Sequence, residues 1–165
     1  MAGQVEANLA EMGIELPPGV APIADYVPFV RTGNLVFVSG QVPKQPDGTM
    51  ITGHLTSEDH MVGETTPPGS QLGLGIGAAT LCALNILAQL KACIGDLDRT
   101  VRVVKLTGFV NADETFTQHP LVINGASSLM LGAFGDAGQH ARAAVGSSGL
   151  PGGVICEVEA IFEVE

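Results

Sequence analysis

The sequence has no tryptophan, a single tyrosine and an aromatic content of only 4%. Its core therefore has to be built from aliphatic side chains, and hydrophobic residues make up 45% of the chain. Such a composition suits strands packed against helices with small side chains. Because 165 residues are enough for one domain with one core, we predict a single domain over residues 1–165.

Basic residues are also scarce, with seven Lys and Arg against seventeen Asp and Glu and a formal net charge of −10. Nucleic-acid binding depends largely on neutralising phosphates with cationic side chains, and no cluster of Lys or Arg interrupts the acidic pattern. The same charge disfavours anionic membrane surfaces. We therefore expect neither nucleic acid nor membrane among the partners, and a cation inside a strand calls for a specific role.

Cysteine is rare as well, and Cys82, Cys93 and Cys156 each lie in an apolar run without forming a CxxC pair. The sequence thus predicts buried free thiols instead of a redox or metal centre. Residues 1–13 lack the basic and apolar segments of a signal peptide. Residues 76–94 approach the length of a membrane span, but polar side chains interrupt them, so we expect a buried helix. Together these features predict a cytoplasmic protein.

Periodicity and turn residues predict the element order ββαβαββ after a short helix over residues 4–13. The expected strands and main helices, in chain order, are 26–31, 34–39, the helix 76–94, 100–111, the helix 113–134 (or from Pro120 onwards), 140–147 and 154–164. Single strands between helices indicate an α+β fold with a mixed sheet and both helices on one face. Residues 43–75, rich in Pro, Gly, Ser and Thr, are predicted to form an irregular arm.

Arg142 is the strongest candidate for a functional side chain, because it lies among small residues in the strand 140–147. A guanidinium can hold a carboxylate with two parallel hydrogen bonds. Glu157 and Glu159 share one face of the next strand, about 7 Å apart, and a carboxylate beside Arg142 could orient or deprotonate water. An ion pair between Arg142 and these carboxylates, or a solvated strand face, is the alternative.

Other residues give weaker signals. Tyr26 could contact a ligand or simply mark the entry to a strand, and Ser39 and Gly40 end a strand where backbone N–H groups could meet an anion. His54 and His60 lie six residues apart, a spacing that does not indicate a metal site. The Gly-rich run 73–77 lacks the Lys-Ser/Thr of a phosphate loop, so we reject that interpretation.

Three blocks of sequence together resemble the Rid (YjgF-like) family. The first is ADYVPFVRTGNLVFVSGQVPKQPDG, the second is VVKLTGFVNADETFTQHPLVINGASSLM, and the third, RAAVGSSGLPGGVICEVEAIFE, begins at Arg142 and ends in a V-E-hydrophobic-E-A strand. The match covers roughly residues 20–50 and 76–164. It is most similar to the branch named for YjgF and chorismate mutase and described as endoribonucleases.

The resemblance implies a chorismate-mutase-like fold, a homotrimer with sites between subunits, and hydrolysis of reactive 2-imino or enamine acids to 2-keto acids and ammonia. It assigns the substrate carboxylate to Arg142 and the attacking water to Glu159. It places Tyr26, Ser39, Gly40 and Asn124 around the pocket. No metal and no organic cofactor are expected, and the only small-molecule partner is the imino acid.

Two departures and three alternatives accompany this expectation. Ala144 stands where well-studied members often have cysteine, and the arm 43–75 is longer than in compact members. A module that binds a small carboxylate without turnover would share Arg142. An endoribonuclease is disfavoured by the acidic charge, and a chorismate mutase would need more than one cation for its dianionic substrate.

Overall fold

The computed structural model describes residues 3–17, 25–61, 65–67 and 69–165. Five strands form one mixed sheet in the order β1-β2-β5-β3-β4. Only β3 and β4 run parallel, while the other neighbours are antiparallel. The elements are α1 (Gln4–Glu11), β1 (Phe29–Thr32), β2 (Leu35–Gln41), α2 (Gln71–Ile94), β3 (Thr100–Asn111), α3 (His119–Phe134), β4 (Ala141–Ser147) and β5 (Cys156–Val164). The predicted α+β class and the order ββαβαββ are confirmed.

The connections follow from local chemistry. Gly33, at φ 58°, closes the two-residue turn between β1 and β2, a backbone conformation that a side chain disfavours. The helix α3 joins the parallel strands β3 and β4, and α2 carries the chain from β2 to β3 across β5. Strand 140–147 begins one residue later than expected, and strand 154–164 two residues later.

The sheet buries one face and leaves the other open. Along β5 the burial alternates strictly, with Cys156, Val158 and Phe162 buried and Glu159 exposed, as the period of two predicts. Ile155 departs from this prediction, because it is fully buried and not turned to the open face. Regular pairing begins only at Cys156, and the Ile155 side chain packs against Gly53 and Gly75.

The start of α2 was predicted at residue 76 but lies at Gln71. Ser70 caps the helix, because its hydroxyl accepts a hydrogen bond from the Gly73 amide at 3.1 Å. Gly73 and Gly75, which belong to the predicted irregular arm, are instead helical. Gly75 is buried where a Cβ would already touch Val122 and Ile155 at 3.4 and 3.6 Å, so tertiary packing offsets the poor helix propensity of glycine.

The start of α3 follows the second of the two predicted alternatives. It begins at His119 with Pro120 in its first turn, where the missing proline N–H breaks no helical bond. Asp113, the first residue of the longer predicted helix 113–134, closes a turn instead. Its carboxylate accepts hydrogen bonds from the Thr115 amide and hydroxyl at 2.8 and 2.7 Å, and these bonds lower its pKa.

The arm is partly built into the fold, although residues 62–64 and 68 lie outside the described residues. The buried Asn111 amide donates hydrogen bonds to the carbonyls of Gly53 and Val154, at 2.8 and 3.2 Å. Its Oδ1 lies 2.9 Å from the His54 Nδ1. Leu55 pairs with Ala112 and is fully buried. Residues 51–55 therefore belong to the core layer and are not a free excursion.

The helix α2 is long and apolar enough to cross a bilayer by length and composition, but 56% of its most hydrophobic window is buried inside the molecule. This supports the predicted core helix. Cys82 and Cys156 are buried with their sulfurs 3.9 Å apart, and Cys93 is half-buried. Burial raises the pKa of the Cys82 thiol well above its usual range, as expected for an inert core thiol.

Candidate functional site

Arg142 lies on the edge strand β4 and reaches α3. Its Nη1 donates hydrogen bonds to Asn124 Oδ1 at 2.8 Å and to Ser127 Oγ at 3.0 Å. The side chain is exposed, and within the described ranges it forms no ion pair, the single salt bridge there being Lys91 with Glu6. The guanidinium is thus oriented by two neutral acceptors and keeps its positive charge uncompensated.

The register of the sheet decides which face Arg142 occupies. Arg142 is level with Leu106 on β3, and Leu106 is level with Ala160 on β5. Leu106 and Ala160 are buried under the helices. Arg142 therefore lies on the helix side of the sheet, whereas sequence reasoning set it beside the carboxylates of the other face. The alternative of an ion pair with Glu157 or Glu159 is excluded for a single chain by the same register.

The two carboxylates lie on the open face but in different surroundings. Glu157 is half-buried and is level with Phe109, whereas Glu159 is exposed and level with Thr107. Burial and the neighbouring charge of Glu159 raise the pKa of Glu157. The rise makes Glu157 more basic than a carboxylate in water, which suits the acceptance of a proton from water.

Gly40 makes room for the carboxyl group of Glu157. A Cβ at position 40 would lie 1.9 Å from Glu157 Oε1 and 2.9 Å from Glu157 Cδ. Gly40 falls in an irregularity of the β2–β5 ladder between Val38 and Gln41. Bulges commonly redirect a strand beside a functional site, and here the missing side chain lets backbone and carboxylate approach each other.

Ser39 of β2 forms hydrogen bonds to the segment that follows Tyr26. Its hydroxyl donates to the Val27 carbonyl at 2.8 Å, and its amide donates to the Pro28 carbonyl at 2.9 Å. Tyr26 lies in a bend before β1, not in a strand, and its side chain is 49% exposed. Ser39, Gly40 and Glu157 thus lie in one region, and Tyr26 precedes in sequence the residue Val27 that Ser39 holds there. Arg142 and Asn124 belong to another region.

We call these regions the anion patch (Asn124, Ser127, Arg142) and the carboxylate patch (Tyr26, Ser39, Gly40, Glu157). They are on opposite faces of the sheet, so one chain cannot wrap both around one small molecule. Cavities of about 380 and 460 Å³ lie beside the helices, and neither is lined by Arg142 or Glu157. Asn124 of the anion patch lines the smaller of these cavities, so the two patches have separate surroundings within one chain.

Sequence reasoning missed Ser127 and His140. Ser127 Oγ lies 3.0 Å from His140 Nε2 and also accepts from Arg142. A signal existed in the sequence, because Ser127 lies three residues after Asn124 on the same helical face and His140 lies two residues before Arg142. The histidines that were weighed as metal ligands do not converge: no group of three His, Cys, Asp or Glu in the described part of the chain could hold a metal ion.

Comparisons with known proteins agree with this architecture. Protein TCP17 of Trypanosoma cruzi is 44% identical over 166 residues, covering 99% of this chain and 96% of that protein. The crystal structure of Atu1372 from Agrobacterium tumefaciens, a protein with unknown function, has 43% identity and a TM-score of 0.81 over 98% of this chain and 94% of that one. A putative endoribonuclease from Shewanella oneidensis superimposes with a TM-score of 0.85 at 29% identity, over 98% and 100% of the two chains.

The model of one protein family matches almost the whole chain. The match spans residues 6–164, and the family is described as YjgF/chorismate mutase-like, putative endoribonuclease. It includes all the residues of both patches. The chain therefore belongs to the YjgF/chorismate mutase-like family.

Proposed function

We propose that this protein hydrolyses 2-imino acids and their enamine tautomers to 2-keto acids and ammonia. The observation that carries the proposal is the exposed Arg142 guanidinium, fixed on one side by neutral acceptors and left with its charge unpaired. Such a group binds a carboxylate with charge and geometry matched. A 2-imino acid carries its carboxylate next to the electrophilic carbon, so holding the carboxylate also places the reacting atom.

The reaction needs a water and one group that exchanges protons. The water oxygen bonds to the imine carbon and gives its proton to a carboxylate. The carboxylate delivers this proton to the nitrogen, which gives a carbinolamine. The carbinolamine hydroxyl then gives up its proton as the carbonyl forms, the same carboxylate passes that second proton to the nitrogen, the C–N bond breaks and ammonia leaves the 2-keto acid. Because the imine is already electrophilic, orientation and one proton acceptor can supply much of the acceleration.

Glu157 and Glu159 compete for the role of proton acceptor. The resemblance assigned it to Glu159, whereas the half-burial and the raised pKa of Glu157, together with the room provided by Gly40, favour Glu157. Replacing each by glutamine separates the two assignments. If Glu157 acts on the water, Glu157→Gln lowers kcat by about 100-fold or more and Glu159→Gln leaves most activity; the reverse order restores the original assignment.

The main test measures ammonia released from imines that an amino-acid oxidase generates in the assay. Arg142→Ala and Arg142→Lys are both expected to be poor, because lysine lacks the planar fork of arginine. Arg102→Ala is the matched control, since it removes another exposed strand arginine for which no hydrogen bond to the anion patch exists. Full activity of Arg142→Ala would sink the proposal.

We propose that the complete site forms between subunits of a homotrimer. A site that uses both patches needs a second chain, because the patches lie on opposite faces of the sheet. The open face exposes apolar side chains that no described helix covers, among them Val30, Phe37 and Val145 at 53%, 41% and 45%. A cyclic arrangement lets the anion patch of each subunit meet the carboxylate patch of the next. Native mass spectrometry is expected to give three times the 16.9 kDa chain mass.

Subunit mixing tests the shared site directly. Arg142→Ala and Glu157→Gln, each expected to retain little activity alone if Glu157 accepts the proton, are co-expressed so that trimers form from both variants. Sites that draw Arg142 from one chain and Glu157 from the other then regain both residues, and about a quarter of wild-type activity is expected for random mixing. No recovery in mixed trimers would contradict a site that combines Arg142 of one chain with Glu157 of another.

A module that binds carboxylates without turnover is the second candidate, and the same Arg142 geometry favours it. It predicts that pyruvate raises the melting temperature while no ammonia is released above the uncatalysed rate. A cytoplasmic location stays part of the proposal. RNA cleavage by clean protein that is lost in Arg142→Ala would revive the endoribonuclease alternative.

A further inference from the structure

Arg142 is one end of a chain of hydrogen bonds that runs between β4 and α3. Its Nη1 donates to Ser127 Oγ at 3.0 Å, and Ser127 Oγ lies 3.0 Å from His140 Nε2. The other ring nitrogen of His140, Nδ1, lies 2.6 Å from the Gly138 carbonyl oxygen. Four residues from three successive segments are thus joined behind the guanidinium.

The two ends of this chain fix the direction of the bonds that they form. A guanidinium can only donate, and a backbone carbonyl can only accept. His140 therefore donates from Nδ1 to Gly138, and the uncharged tautomer with its hydrogen on Nδ1 accepts at Nε2. The Ser127 hydroxyl then donates to His140 and accepts from Arg142, so each polar atom in the chain has the partner that its chemistry requires.

The chain also decides which edge of the guanidinium remains for a ligand. Nη1 carries two hydrogens, and Asn124 and Ser127 accept one each, at 2.8 and 3.0 Å. The Nε and Nη2 hydrogens form no hydrogen bond to the described residues of this chain. These two nitrogens present parallel N–H groups on one edge, which is the geometry for a two-pronged bond to a carboxylate.

We propose that Ser127 and His140 are positioning residues for carboxylate binding, which hold Arg142 so that the Nε–Nη2 edge faces the ligand. This inference rests on the proposed function in taking a 2-keto or 2-imino acid as the ligand. Neither residue touches the substrate. His140 acts through Ser127, and Ser127 acts through the guanidinium.

The expected effect is on binding, because the carboxylate is held in the same way before and during the reaction. Ser127→Ala frees one Nη1 hydrogen and lets the guanidinium turn, so KM for the imine and Kd for pyruvate rise about 3- to 10-fold, the equivalent of one net hydrogen bond. The value of kcat stays nearly unchanged. His140→Ala acts in the same direction but less, since the Ser127 hydroxyl remains.

The experiment compares Ser127→Ala with Ser128→Ala, the same substitution one residue along α3, where no bond to Arg142 exists. Ser127→Thr, which keeps the hydroxyl, is the rescue variant. Pyruvate titrations, KM and kcat are measured for all three, with unfolding by urea as a check on the fold. Equal pyruvate affinities for Ser127→Ala and Ser128→Ala overturn the inference.

A spectroscopic readout separates this inference from the proposed function. In the free protein, held Nη1 hydrogens slow the rotation of the guanidinium groups, so separate nitrogen-bound proton resonances are expected for Arg142 at low temperature. They should merge in Ser127→Ala and persist in Ser128→Ala. Loss of this difference overturns the positioning role even if the protein is an active deaminase. Absence of ammonia release with the difference intact overturns only the proposed function.

Discussion

Gly125→Ala tests how the anion patch is placed, because Gly125 lies where α3 crosses α2. A Cβ at this position would be 2.1 Å from the Ile76 carbonyl oxygen and 2.9 Å from Thr80 Oγ1. Real Cβ contacts essentially never fall below 3.0 Å, so α3 has to move away by about 1 Å. The obstacle is backbone, which cannot turn aside as a side chain can.

The magnitude follows from two opposing terms. Overpacking costs about 1–3 kcal/mol, and the backbone clash puts Gly125→Ala at the upper end. Alanine regains about 1 kcal/mol over glycine inside a helix. A net loss of about 2 kcal/mol corresponds to a melting temperature lower by roughly 4–8 °C for a chain of this size. Because Asn124 and Ser127 move with α3, the affinity for pyruvate should fall as well.

Gly77→Ala is the matched control, since Gly77 is an exposed glycine of α2 with nothing within 4 Å of an added Cβ. It should gain about 1 kcal/mol and keep its affinity for pyruvate. Urea and thermal unfolding are measured at one protein concentration, because assembly contributes to apparent stability. If Gly125→Ala and Gly77→Ala shift the free energy of unfolding in the same direction by similar amounts, the close helix crossing does not explain the glycine at position 125.

Three further predictions concern the cap, the arm and the half-buried carboxylate. Ser70→Ala removes the cap of α2 and should cost about 1 kcal/mol in urea unfolding, whereas Ser70→Asp should cost little. Leu55→Ala, in the fully buried part of the arm, should lower the free energy of unfolding by about 2–5 kcal/mol. A decrease of less than about 1 kcal/mol would mean that this part of the arm does not belong to the core. The pKa of Glu157 is raised from 4.5, so the folded state binds its proton more tightly and stability falls as the pH rises above that value. Glu157→Gln should therefore be more stable than the wild type at pH 7 but not at pH 4, and parallel pH profiles of unfolding free energy would contradict this.

The strands could be predicted well because their signals are local. The bounds of β3 match the prediction, since residues with high strand propensity, mainly valine and threonine, dominate from Thr100 to the buried Asn111. The start of α2 could not be predicted, because Gly75 packs closely against Val122 and Ile155, which are distant in sequence.

The candidate site could be predicted only in its parts. A period of two shows which residues of β4 share a face, but not which face of the sheet it is. That depends on the level pairing of Arg142 with Leu106, which no pattern within the strand contains. The sequence pattern therefore singled out Arg142 and the carboxylates as candidates but placed them on the same face of the sheet. The strand register puts them on opposite faces.

The buried amide of Asn111 restrains one part of the arm, around Gly53 and His54, to a fixed length. The part around Asp47 and Gly48 can vary in length. Its bonds to Gly53, Val154 and His54 join three stretches of chain at one point, so an inserted or deleted residue between Ile51 and Leu55 would pull them apart. The turn at Asp47 and Gly48, closed only by its own neighbours, has no such restraint. A reporter peptide or an affinity tag placed in that turn should leave the scaffold intact.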